Sequence, residues 1–107
     1  MDITTTPPLV AALSALADPT RLGAMRVLWG GGEHCACELI DTLGATQSRV
    51  SRHMQALTKA GLVLARRDGN WVRYRINPDL ADEMAAVLDA VMHATPALPA
   101  AKTGCVA

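Results

Sequence analysis

The stretch from Leu39 to Ile76 does most to limit what this chain can fold into, because its hydrophobic period changes part-way along. Leu39, Ile40 and Leu43 recur at helical spacing, and Gly44 is well placed as a left-handed stop. Thr46 is an N-cap residue for a second run, Gln47 to about Ala60, whose apolar positions are Val50, Met54, Leu57 and Ala60. Gly61 ends it. Leu62–Arg67 and Trp71–Ile76 are then β-prone runs joined by Asp68-Gly69-Asn70, a hairpin signal. The stretch therefore predicts short helix, tight turn, helix and hairpin, in that order.

A short helix, a Gly-containing turn and a second helix with a polar leading edge form the helix-turn-helix pattern. A basic hairpin directly after it is the wing of a winged helix-turn-helix. Upstream, Pro7-Pro8 starts a helix reaching about Leu16, and Asp18-Pro19 starts another with Leu22, Met25 and Trp29 as its stripe. Gly30-Gly31-Gly32 ends that helix. Downstream, Asn77-Pro78 reads as the cap of a last helix bearing Leu80, Met84, Val87, Leu88, Val91 and Met92. So wide a face exceeds what this small domain is expected to bury, which makes the helix a dimerisation element, packed with the first helix. The expected fold is mainly α with a small β-hairpin, ordered α-α-α-α-β-β-α and dimeric. Residues 1–94 form the DNA-binding and dimerisation domain. Residues 95–107 form a flexible Pro/Ala/Gly-rich tail carrying Cys105. The absence of Phe agrees, since a core of Leu, Val, Ala, Met and Ile favours packed helices over a β-sandwich.

The formal net charge is +0, but it is unevenly spread. Between Ala45 and Ile76, Arg49, Arg52, Lys59, Arg66, Arg67, Arg73 and Arg75 face only Asp68, while Arg21, Arg26 and Lys102 face all the other acids. This is a phosphate-facing module on an acidic body, with double-stranded DNA as the expected partner. With Val50, Met54 and Leu57 inward, the fourth helix turns Gln47, Ser48, Ser51 and Arg52 outward, with Arg49 at the flank. Gln and Arg read adenine and guanine edges in the major groove. Arg67, Arg73 and Arg75 are expected on phosphates, and His53 as a packed or hydrogen-bonded helix residue. No apolar run approaches the ~18 residues of a membrane span, and Met1–Pro8 has no signal-peptide pattern. The expected location is the cytoplasm, without membrane association.

There the three cysteines are expected to stay reduced. The pair in Cys35-Ala36-Cys37 then points to metal binding or redox chemistry. No nucleophile–base constellation or phosphate-binding Gly motif follows a strand, so an enzyme is not expected.

From Leu16 to Asn77 the chain resembles the ArsR/SmtB family of metalloregulatory winged-helix repressors. The resemblance rests on Ala17-Asp18-Pro19-Thr20-Arg21-Leu22, on Cys35-Ala36-Cys37-Glu38-Leu39, and on Gln47-Ser48-Arg49-Val50-Ser51-Arg52-His53-Met54 with Leu57. Ala60-Gly61-Leu62-Val63 and Asp68-Gly69-Asn70-Trp71-Val72-Arg73-Tyr74-Arg75 complete it. It implies a homodimer that binds operator DNA when empty and releases it when an inducer binds. The thiol pair sits where the arsenite-responsive and cadmium/lead-responsive branches place a Cys-x-Cys, and the arsenite branch is the nearer. That branch implies a further Cys three residues on, where this chain has Ile40. The cadmium/lead branch implies N-terminal thiols, and there is no Cys before Cys35. Some members recruit a tail thiol, a part open to Cys105. Asp89 and His93 do not match the zinc-responsive branch's spacing.

Cys35, Cys37 and Cys105 make three thiolates, the donor set for As(III) or Sb(III) as inducer. Cd(II), Pb(II) or Zn(II), with His34 as a fourth donor, is the alternative. A thiol redox or persulfide switch is a further one, and a thiol metal-buffering protein is the reading from another class. Ten extended residues beyond Ala94 reach roughly 35 Å, enough for Cys105 to approach the pair. Residues i and i+2 of a helix do not face each other. A helical pair would therefore have to unwind to clasp one ion, and would pass that distortion to the next helix.

Overall fold

The computed structural model describes residues 8–96, so Cys105 and most of the expected tail lie outside the described residues. The elements are α1 (Pro8–Leu16), α2 (Pro19–Leu28), β1 (His34–Cys35), α3 (Ala36–Leu43), α4 (Gln47–Lys59), β2 (Val63–Asp68), β3 (Trp71–Ile76) and α5 (Asp82–Ala94).

Local chemistry explains most of the boundaries. Asp18 caps α2 by accepting the backbone N–H of Arg21 at 3.0 Å, with Pro19 at the first helical position. Gly44 ends α3 at φ 64°, its N–H bonded to Ile40 O. Gly61 at φ 80° closes α4 in a Schellman arrangement, with Leu62 N donating to Leu57 O and Gly61 N to Thr58 O. The hairpin loop is Gly69-Asn70 alone, since Asp68 pairs with Trp71 inside the sheet. A positive φ at Gly69 and a negative one at Asn70 is the sign pattern of a type II′ turn.

Two expectations are corrected. The sheet has a third, short strand, with antiparallel order β1-β3-β2. Asn77 does not cap the last helix. Its amide donates to Gly61 O at 2.9 Å, its N–H bonds Leu62 O, and its carbonyl oxygen accepts Asp79 N–H, so it ties the base of the wing to the end of α4. The last helix starts four residues past Pro78, where Asp82 and Glu83 suit a helix N-terminus. Its apolar face is covered in part by its own domain. Leu88 and Met92 are buried in the core, and Leu80, Met84, Val87 and Val91 are half-buried. Trp29 donates to Asp89, and Arg26 to Thr95 O, fastening α5 to α2.

The core is continuous. Met25, Leu28, Leu39, Met54, Leu57 and Leu88 are each 0% exposed, and Val50, Leu62, Val63 and Tyr74 join them. Full burial of each large side chain contributes about 1.5–3 kcal/mol. Among the described residues the exposed large apolar ones are Leu9, Val10 and Leu13 on α1, and Leu64 on β2.

The Asp18 cap carries a stability prediction. The Arg21 N–H bond, with the Arg21 charge beside it, holds its carboxyl below the ordinary value of 3.8 against the opposing effect of burial. A folded pKa below the unfolded one contributes stability that is full above the unfolded value and is lost as pH falls through the folded value. Asp18→Ala should cost about 1 kcal/mol at neutral pH. In denaturant titrations that difference should shrink below pH ~4. A loss independent of pH would show that the carboxylate charge is irrelevant to the cap.

Candidate functional site

Two sets of residues meet around β1. The first is the thiol pair. Cys35 is the last residue of β1 and also the N-cap of α3, with extended backbone at φ −68° and ψ 144°. Cys37 is in the first turn of α3. One residue extended and one helical puts both sulfurs on the same side of the helix start. They lie 2.7 Å apart, and the Cys37 N–H points at the Cys35 sulfur at 3.3 Å. Cys35 is buried and Cys37 half-buried. This corrects the expected obstacle: the pair is not wholly helical, so no unwinding is needed to bring the sulfurs together. Two bonds of ~2.3 Å at a tetrahedral ion place their sulfurs roughly 3.8 Å apart. Side-chain rotation at this strand-to-helix break can reach that separation.

His34 does not join the pair. Its Nδ1 contacts the Glu38 carboxylate and its Nε2 lies 3.0 Å from Gly31 O. With both ring nitrogens against oxygens, the ring would have to leave both partners to ligate a metal. Among the described residues no group of three His, Cys, Asp or Glu side chains is arranged to hold an ion. The two sulfurs are thus a partial donor set, and Cys105 is outside the described residues. Ile40 packs against the core instead.

The second set is basic. Thr46 caps α4 by accepting Arg49 N–H at 3.3 Å. Val50, Met54 and Leu57 are buried, so Gln47, Ser48, Arg49 and Arg52 are left exposed, as expected. Ser51 is half-buried and accepts from the Gln55 amide at 3.3 Å. On the wing the expected trio divides. Cross-strand partners share a sheet face. The register pairs Leu64 with Arg75, Arg66 with Arg73 and Asp68 with Trp71 on one face, while Arg67, opposite Val72, lies on the other with Ala65 and Tyr74. Arg73 is half-buried and donates to Asp68 at 2.7 Å. That bond, and the Arg73 charge behind it, hold the Asp68 carboxyl below its ordinary range. Arg49, Arg52, Arg67 and Arg75 are exposed, with no ion pair among the described residues.

The two sets share residues. Cys35 pairs with Arg73 across β1 and β3. Just before Cys35, Glu33 accepts from Arg66 at 2.7 and 2.9 Å in a bidentate pair, and that bond holds the Glu33 carboxyl below its ordinary value. The thiol segment is thus an edge of the wing as well as the start of α3. Sequence reasoning missed Arg66 as a link. No local signal announces it, because its partner is far away in the chain.

Five helices, a three-stranded antiparallel sheet, a capped polar-fronted α4 and a basic hairpin define a winged helix-turn-helix protein of the DNA-binding kind. Residues 18–64 match the model of the bacterial regulatory protein arsR family. The chain is 42% identical over 74 residues to the arsenical resistance operon repressor of Escherichia coli, covering 69% of this chain and 63% of that protein, a little under two thirds of its length. It is 39% identical over 89 residues to the arsenic resistance transcriptional regulator ArsR1 of Pseudomonas putida, covering 83% and 68%. The homodimeric winged helix-turn-helix domain of Mb0332 from Mycobacterium bovis superposes with a TM-score of 0.67 at 29% identity, covering 81% of this chain and 77% of that one. The chain belongs to the ArsR family of transcriptional regulators. No helix among the described residues is long and apolar enough to cross a membrane.

Proposed function

We propose that this chain is a homodimeric, cytoplasmic transcriptional repressor that leaves its operator when trivalent arsenic or antimony binds its cysteine thiolates. Cys35 and Cys37 supply two donors and Cys105, on the tail 95–107, the third. Gln47, Ser48, Arg49, Ser51 and Arg52 face the major groove, and Arg67, Arg73 and Arg75 the phosphates. The observation that carries this reading is the meeting of the two sulfurs at a junction between α3, which packs on α4, and β1, which pairs with the wing. Fixing both sulfurs on one ion acts on that junction, which touches both DNA-contacting elements. The exposed Leu9, Val10 and Leu13 on α1 support the dimer.

The test is release of fluorescent operator DNA, titrated with arsenite, antimonite, cadmium, lead and zinc, for the wild type and Cys105→Ser. Arsenite and antimonite should release the wild type at the lowest concentrations, and Cys105→Ser should need more. Release by zinc or cadmium alone would overturn the metalloid assignment. A chain that binds no DNA specifically is a thiol metal buffer.

Glu33 gives a separate expectation. Glu33→Gln removes the carboxylate that holds Arg66. If Arg66 then reaches a phosphate, the slope of log K against log salt should steepen by about 0.9. An unchanged slope would place Arg66 off the DNA backbone.

A further inference from the structure

The side-chain cluster at the α1–α2 junction does work that neither the sulfurs nor the wing requires. Arg21 is half-buried, and its Nε donates to Ala15 O, at the end of α1, at 2.5 Å. Its Nη1 donates to His53 Nδ1, at the middle of α4, at 3.2 Å. Its own backbone N–H is held by Asp18, whose carboxylate lies 3.7 Å from the same His53 nitrogen. His53 is 19% exposed and is turned away from the exposed Gln47, Ser48 and Arg52. A single guanidinium thus spans three helices. Its planar fork has donors diverging in fixed directions, which a lysine ammonium cannot reproduce on both acceptors. Because Arg has donors only, His53 Nδ1 must be the acceptor, and the ring proton is assigned to Nε2.

We propose that Arg21 and His53 are positioning residues that lock the recognition helix α4 to α1 and so set which spacing of operator half-sites the protein accepts. The inference deepens the repressor reading and rests on it. It also rests on α1, with exposed Leu9, Val10 and Leu13, lying at the dimer contact. A dimer reads two half-sites one helical turn apart, so the distance between its two α4 helices must match the DNA. α4 is buried along Val50, Met54 and Leu57, which fixes its depth. The polar tie at His53 fixes its rotation and slide relative to the helix that meets the partner.

The experiment uses the full chain and the DNA that the wild type selects from a random pool. Binding is measured to that operator and to versions with one base pair added or removed between the half-sites. The wild type should discriminate sharply. His53→Ala and Arg21→Lys should bind the selected operator about tenfold more weakly and lose most of their preference for its spacing. His53→Asn, whose side-chain oxygen can accept from Arg21, should recover both properties. Unchanged affinity and spacing preference in His53→Ala would overturn the proposal. So would a changed base preference within a half-site, which would make His53 a reader of DNA. A wild type that binds no DNA refutes the repressor reading instead. The lock is then judged without DNA, by nitrogen NMR of the His53 ring. A proton on Nε2 and an accepting Nδ1 supports it, and a proton on Nδ1 overturns it.

Discussion

The doubly substituted chain Cys35→Ser/Cys37→Ser should bind its operator about as tightly as the wild type and should no longer release it when arsenite is added. Ser keeps the size of the side chain, and a hydroxyl is a good N-cap, so α3 should still start where Cys35 now caps it. What is lost is the soft donor, since hydroxyl oxygen does not hold thiophilic ions as thiolate does. Coupling between an effector site and DNA typically amounts to about 1–3 kcal/mol, or 5–150-fold in affinity, and all of it should vanish. Operator binding with and without arsenite measures this directly. Release that survives in the double variant would move the inducer site away from β1 and α3. Each single variant should respond only at higher arsenite concentrations, because it removes one sulfur of the pair that meets at the start of α3.

The second large effect separates the two faces of α4. Met54 is 0% exposed, and Met54→Ala should cost about 2–5 kcal/mol. A domain of this size has a total stability of about 5–15 kcal/mol, so the melting temperature should fall by roughly 10–30 °C. DNA binding should disappear on warming along with the fold. Arg52, two positions away and exposed, should behave oppositely. Arg52→Ala should leave the melting curve within about 0.5 kcal/mol of wild type and weaken operator binding by about 1–3 kcal/mol. Calorimetry and a binding isotherm on both variants give the comparison. A melting temperature that Met54→Ala does not move would contradict the burial of this stripe. A loss of stability in Arg52→Ala would make that residue structural.

The helices and the hairpin were legible because their signals are local. Asp18-Pro19, Gly44, Thr46, Gly61 and Gly69 each act within a few residues of themselves, through caps, left-handed backbone and turn geometry. The exposed polar set on α4 was legible for the same reason, as it is what remains once Val50, Met54 and Leu57 are turned inward. Asn77 misled because an Asn before Pro resembles a helix cap in sequence. In the fold its amide instead satisfies Gly61 O across the wing. How much of the α5 face its own domain covers depends on the space left by α2 and the core, which no periodicity reports.

The sequence by itself determined the order of the five helices and the hairpin, the polar-fronted α4 and the presence of a thiol pair ahead of α3, since each follows from residues near one another in the chain. Only the tertiary structure decided that Cys35 belongs to a strand, that its sulfur meets that of Cys37, and that Glu33 grips Arg66. It alone joined Arg21 to His53. Three of those features depend on segments distant in sequence being brought together by burial of one shared core, and the sulfur contact follows from the strand-to-helix break that the β1–β3 pairing sets at Cys35. A strand of two residues such as β1 has no hydrophobic period of its own; its pairing with β3 creates it.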